Sequence, residues 1–544
     1  MNSLSRRGFL AGGLALAGAG PLAACGADRS APSVALVSPS GPQVNAEDAR
    51  RYRDGETRTF AYTATTGEVD LGGPTVSTWS YDGVVPGREL RLTSGDQVHV
   101  QVTNRLPQDT TMHWHGLDIR NDMDGVPDVT QNPIQAGGSF TYRYVVDEPG
   151  TYWYHPHIGL QFDHGLYGPL IVEDPHEPLS YDEDWTVVLD DWLDGVDGLT
   201  PEGVFAALRH CMPGMDRSTA TPSAAPPMSG VTTPGMSSAP PSANAMSGMP
   251  MGGSPMPSIG SMPGSSAILM DGTSPLLGGD AGDVKYPYYL INGRVPTAPV
   301  TLTSKPGRRA RIRFINAGGD TAFRVALGGH RMTVVHTDGH PINPVQADTL
   351  LIGMGERYDV LVTLAGGVFP LVALAEGKNA TALALVRTGS GPTPPATARP
   401  SELNGTLVGG SQVSQLTAAS SATLPAHAIN DDIPLRLTGS MANYSWGING
   451  EQYNPKVPLA ILTSGQRVRM TYTNTTTMWH PMHLHGHAFA VGGPNGPRKD
   501  TVMVLPGASM TCEFDTDNPG LWVTHCHNVY HENAGMMGVL AYQT

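Results

Sequence analysis

Gly465-Gln466-Arg467-Val468-Arg469-Met470-Thr471-Tyr472-Thr473-Asn474 alternates polar and apolar residues behind a glycine, and the pattern occurs three times in the chain. The other copies are Gly95-Asp96-Gln97-Val98-His99-Val100-Gln101-Val102-Thr103-Asn104 and Gly307-Arg308-Arg309-Ala310-Arg311-Ile312-Arg313-Phe314-Ile315-Asn316. Upstream of the copies stand Asp82-Gly83, Asn292-Gly293 and Asn449-Gly450 in turn. Alternation of period two reads as a half-buried strand that the glycine opens from a turn. Three copies of one unit read as three β-sandwich domains of a single type. A length of 544 residues leaves room for several large cores. With 66 Gly, 47 Pro and 15% charged residues, the composition favours strands and turns over charged helices.

Histidine clusters lie just beyond two of the copies. The first copy leads to His113-Trp114-His115 and His155-Pro156-His157, and the third to His480-Pro481-Met482-His483-Leu484-His485. The second continues as Ala317-Gly318-Gly319-Asp320 with no His pair, so the middle domain reads as structural. His330, His336 and His340 there read as surface or hydrogen-bonded residues. Near the C-terminus comes His525-Cys526-His527-Asn528-Val529-Tyr530-His531-Glu532-Asn533-Ala534-Gly535-Met536. On a strand, the two imidazoles of His-X-His lie on one face. Cys526 must then point away from His525 and His527, and one segment serves two metal centres. A thiolate (Cys526), two imidazoles (His480, His531) and a weak thioether (Met536) form the ligand set of a blue-copper electron-transfer site.

These four segments resemble the copper-binding motifs of the multicopper oxidases, and the resemblance covers residues 45 to 544. It implies an all-β chain of three cupredoxin-like Greek-key β-sandwich or barrel domains. Their expected bounds are 45–180, 181–390 and 431–544, with a linker rich in Pro, Ser, Thr, Gly and Ala at 391–430. The family resemblance further implies four coppers per chain. One type 1 copper falls to His480, Cys526, His531 and Met536. The type 2 copper falls to His113 and His483, and the type 3 pair to His115, His155, His157, His485, His525 and His527. Electrons taken singly from a donor would reduce O2 to water. Asp124 and Glu532 match the family's acidic residues near the type 2 copper and on the proton path, so both are candidate catalytic groups. His487 matches a non-ligand position and is expected to pack or to support a ligand.

The electron donor is read from other features. Ten of the 23 Met fall at positions 212–270, within a Pro-, Ser- and Gly-rich insert at 211–270 that has no helical or strand periodicity. Thioethers are soft ligands suited to Cu(I). The formal charge of −15 argues against nucleic acid and anionic membrane surfaces as partners, and it would not repel a metal cation. The expectation is a Cu(I) oxidase in copper tolerance, with Met478 just before His480 as further support. Two departures from the bacterial copper-efflux oxidases weigh against it. The insert precedes the second repeat, and Thr476 stands where those enzymes have Asp. The alternative is a laccase acting on small phenols or aromatic amines, and a more distant one is a copper-storage protein.

Ser5-Arg6-Arg7-Gly8-Phe9-Leu10 and Leu22-Ala23-Ala24-Cys25 read as a twin-arginine lipoprotein signal over 1–25, followed by a tether at 26–44. The expectation is a monomer in the periplasm or cell envelope, anchored outside the cytoplasmic membrane by a lipid on Cys25. Cys211 and Cys512 are left over. They could pair, or Cys211, in His210-Cys211-Met212, could bind a soft metal.

Overall fold

The three repeated strands occupy the same place in three sheets. In this computed structural model, which describes residues 34–210, 268–269 and 272–544, they are Gln97–Asn104, Arg309–Asn316 and Arg467–Asn474. Each has a parallel neighbour on one side: Thr57–Asp70, Glu183–Trp192 or Ile429–Ser440. Each has an antiparallel neighbour on the other: Ser139–Val145, Arg357–Thr363 or Ser509–Asp515. A second sheet accompanies each of the three, which gives three cupredoxin-like Greek-key sandwiches in an all-β chain. The signal at 1–25, Cys25, Cys211 and nearly all of the Met-rich insert lie outside the described residues.

The repeated turn and asparagine have local causes. Asp82, Asn292 and Asn449 have φ of 56°, 49° and 58°, and each is followed by a positive-φ glycine. That is the two-residue hairpin turn which asparagine or aspartate with glycine favours. At the far end of each repeated strand the Asn side chain turns the chain back. Asn104, Asn316 and Asn474 accept the backbone N–H two residues on, and each Nδ2 donates to two carbonyls. These turns launch the His-bearing loops in the first and third domains.

Two expectations need correction. The middle copy is not half-buried. Every residue of Arg309–Asn316 except the first is buried, because Arg311 and Arg313 are enclosed with Asp359 and Asp184. Residues 36–44 of the expected tether belong to the folded body. Val37 and Val44 are 1% exposed, and Val37 N–H donates to the Tyr542 carbonyl at 2.8 Å. Within 391–430, Leu407–Gly409 adds a parallel edge strand to the second domain's sheet.

The first and third domains meet directly. Val126 and Val129 pack on Val523, Val539 and Ala541. Asn121 exchanges two hydrogen bonds with the Leu521 main chain, at 2.7 and 2.9 Å. At this junction the strand His113–His115 pairs with Gly150–His155, and His480–Leu484 pairs with Leu521–Cys526. The register sets His113 opposite His155 and His483 opposite His525.

Candidate metal centres

Period-two geometry places Cys526 and its neighbouring histidines in two separate groups. Cys526 Sγ lies 3.6 Å from His480 Nδ1 and 3.7 Å from His531 Nδ1, and the two nitrogens are 3.0 Å apart. All three side chains are fully buried. Met536, also buried, is drawn in through its main chain, which bonds both Cys526 and His531 at 3.0 Å. Asn528 caps the short helix Val529–Asn533 that carries His531. Thr476 takes the other ring nitrogen of His480 at 2.8 Å, and Asp283 takes that of His531 at 3.0 Å.

On the other face, His525 and His527 join His113, His115, His155, His157, His483 and His485. Within the triads His113/His483/His485, His113/His115/His155 and His157/His485/His525, one ligating atom per residue lies within 4.8 Å of the others. His527 sits against His115 and His155, with ring centroids 5.0 and 5.3 Å away. Most of these rings are anchored outward. Nδ1 of His113, His155 and His483 meets the carbonyl of Asp124, Pro156 and Asp500 at 2.7–2.9 Å. Their buried Nε2 atoms, Nδ1 of His115 and both nitrogens of His527 have no hydrogen-bond partner among the described residues. One nitrogen fixed and the other left bare is the arrangement of metal-ligating histidine. Burial holds His115, His155, His157, His480, His485 and His527 well below the usual histidine value and His483 at about 4. Neutral rings keep a lone pair for a metal.

Comparison with known proteins agrees with this geometry. Three multicopper oxidase family models match residues 63–177, 244–391 and 428–544. Multicopper oxidase MmcO of Mycobacterium tuberculosis is 48% identical, over 99% of this chain and 96% of that protein. The chain belongs to the multicopper oxidase family. This multicopper oxidase is also 28% identical to a copper resistance protein A homolog of Pseudomonas syringae pv. tomato, over 98% of each. Among solved structures, the laccase from Botrytis aclada shares 25% identity at a TM-score of 0.65, over 94% of this chain and 92% of that one. Copper is the cofactor of the family, and the thiolate, thioether and bare imidazoles fit it.

Both candidate acids of the oxidase touch the histidine cluster. Asp124 Oδ2 lies 3.0 Å from His485 Nδ1, and Oδ1 lies 3.1 Å from His113 Nδ1; burial raises its carboxyl above the usual range. Glu532 reaches His525 Nδ1 at 3.2 Å and His157 Nδ1 at 3.6 Å. Burial works against its charge, but the imidazoles prevail and hold it below the ordinary value. A cavity of about 570 Å³ borders Glu532 and is lined also by His157, Tyr444, Gln452 and Arg209.

Spacing could not reveal three further residues. Asp500 sits 3.1 Å from His115 Nε2 and 3.3 Å from His483 Nδ1, and its partner Arg357 holds it well below the usual carboxylate range despite burial. Asp283 comes from beyond the insert. His487 packs as expected, stacked on Tyr542 with a 2.7 Å hydrogen bond. Of the middle-domain histidines, His330 is hydrogen-bonded on both ring nitrogens, whereas half-buried His336 leaves Nδ1 without a partner among the described residues. Met478 corrects an expectation. It is 1% exposed within the core, so its thioether does not face a donor. Cys512 is buried and has no disulfide partner among the described residues, and Cys211, with which it could pair, lies outside them.

Proposed function

We propose that this oxidase holds four coppers and oxidises Cu(I) while reducing O2 to two waters. His480, Cys526, His531 and Met536 hold the type 1 copper. His113 and His483 hold type 2, and His115, His155, His157, His485, His525 and His527 hold the type 3 pair. Copper supplies the one-electron redox chemistry, so that four electrons and four protons convert O2 to water. Cys526 presents sulfur to one centre while its own peptide continues into His525 and His527 at the other, a short covalent route for electrons. Asp124, bridging His113 and His485, and Glu532, bridging His157 and His525, are placed to hold and pass protons at their carboxylate oxygens.

The observation that carries the choice of donor is the closure of His531. Its ring is 0% exposed, Asp283 occupies Nε2, and the Tyr444 hydroxyl donates to the same carboxylate. A planar phenol finds no open imidazole face there, whereas a small cation needs no such face, and the formal charge of −15 favours its approach. The Met-rich insert and the names of the copper-resistance relatives support the same donor. A laccase-type reading, on small phenols or aromatic amines, is favoured by the likeness to the Botrytis aclada laccase. The signal-like N-terminus supports twin-arginine export, a lipid on Cys25 and a place in the cell envelope. No described helix is long and apolar enough to cross a membrane.

The test is O2 uptake by the copper-loaded protein with stabilised Cu(I), beside a simple phenol, with and without residues 211–270. Faster turnover of Cu(I), lost on deletion, supports the proposal. Faster phenol turnover, or Cu(I) kinetics indifferent to deletion, contradicts it.

A further inference from the structure

The segment that carries His531 is gripped by the middle domain at the point where the other two domains place their histidines. After the second repeat comes Ala317-Gly318-Gly319-Asp320. The Gly319 carbonyl accepts from Val529 N–H at 3.0 Å, and Asp320 Oδ1 accepts from Asn528 Nδ2 at 2.6 Å. Asn528 Oδ1 in turn accepts from the N–H groups of Tyr530 and His531, at 3.0 and 3.2 Å, and so caps the helix of His531. The Asp320 carboxylate also accepts the backbone N–H groups of Asp283 and Val284, both at 3.0 Å. That fixes Asp283, whose carboxylate meets His531 Nε2. One carboxylate thus holds His531 twice, through the cap behind its backbone and through the acid at the edge of its ring.

The grip is costly to build. Asp320 and Lys378 are both buried, and Lys378 Nζ donates to Asp320 Oδ2 at 2.6 Å and to Thr321 Oγ1 at 3.0 Å. A buried ion pair is a poor device for stability, since well-packed apolar residues do as well or better. It does supply fixed direction. An imidazole ligand held by its outer nitrogen keeps its orientation and basicity.

We propose that Asp320, held by Lys378, is a positioning residue of the electron-entry site, which sets the orientation of His531 and with it the electronic state of the mononuclear centre. The proposal rests on reading Cys526, His480 and His531 as the ligands of that centre. It gives the domain without copper ligands a part in the reaction.

Two variants of the copper-loaded full chain test it. Asn528→Ser keeps an oxygen to cap the helix but removes the longer amide N–H that reaches Asp320. Asp320→Asn keeps the shape and removes the charge. The blue absorption band and the reduction potential of the mononuclear centre are read for both, beside kcat and the unfolding transition. The expected result is a displaced band and potential in both variants, with kcat at saturating donor lowered about tenfold. Parent-like band and potential, with only the unfolding transition moved, overturn the proposal and leave a structural ion pair. Should Asp320→Asn not fold, the same readings on Asn528→Ser decide. A parent chain with no blue band overturns the copper assignment along with the inference; a blue parent with unmoved variants overturns the inference alone.

Discussion

Each clustered histidine has a local reason to be where it is. His113-Trp114-His115 lies on a strand, and His525 and Cys526 end another with His527 just past it, so period two puts alternate side chains on one face. This is why the ligand positions are legible from spacing alone. Their supports are not. Asp283 reaches His531 from the middle domain, Asp500 crosses from the third domain to His115 in the first, and Arg357 of the middle domain holds Asp500, so no short sequence interval announces these contacts. Asp124 was legible only through family likeness, and the fold gives that position a physical reason, since one buried carboxylate spans His113 and His485. Asp124→Asn should therefore lower O2 turnover by about 10–100-fold, the usual cost of losing a ligand-orienting partner. The blue band of the distant Cys526 centre should stay as in the parent. Parallel steady-state and visible-absorption measurements check both halves.

Among the elements, the hairpin turns and the Asn-ended strands were readable because glycine and asparagine punctuation is local. The burial of Arg309–Asn316 was not, since Arg311 and Arg313 look like solvent-facing residues until Asp359 and Asp184 close on them from other strands. The helix Pro201–His210 shows another long-range device. It seats Phe205 against Tyr444 and Tyr530, near His531. Its Glu202 is tied to His164 Nε2 at 3.0 Å, while Asp194 holds His164 Nδ1 at 2.8 Å. Burial opposes the charge on His164, but the two carboxylates outweigh it and raise the imidazole from 6.5 to about 9. A raised value in the folded state means that the stabilisation is fully present below pH 6.5 and is lost as pH rises through about 9. Because Glu202 is half-exposed, the effect should be about 2 kcal/mol or less. Unfolding free energies measured across that window should fall with pH in the parent, and fall less in Glu202→Gln.

At the scale of the whole molecule, the histidine cluster exists only because the first and third domains meet, and the middle domain locks that meeting. Arg357, 0% exposed, forms a bidentate pair with Asp500 at 2.7 and 2.6 Å and donates to the Thr151 carbonyl at 3.0 Å. All three domains are joined at one guanidinium. Removing one partner strands a buried charge, so Asp500→Asn should cost the copper-free protein about 3–5 kcal/mol in urea unfolding. The three-domain plan itself was readable from the repeats. Which faces meet was not, because the junction is built from residues scattered from Asn121 to Ala541.

The most direct test of the account is copper content per chain of the loaded protein and of Cys526→Ser, with the blue band recorded on the same samples. Four coppers and a blue band in the parent, against three and none in the variant, is the predicted result. A colourless parent, or a variant that keeps the parent's copper count and colour, would contradict the assignment of Cys526 to one centre and of its flanking histidines to the other.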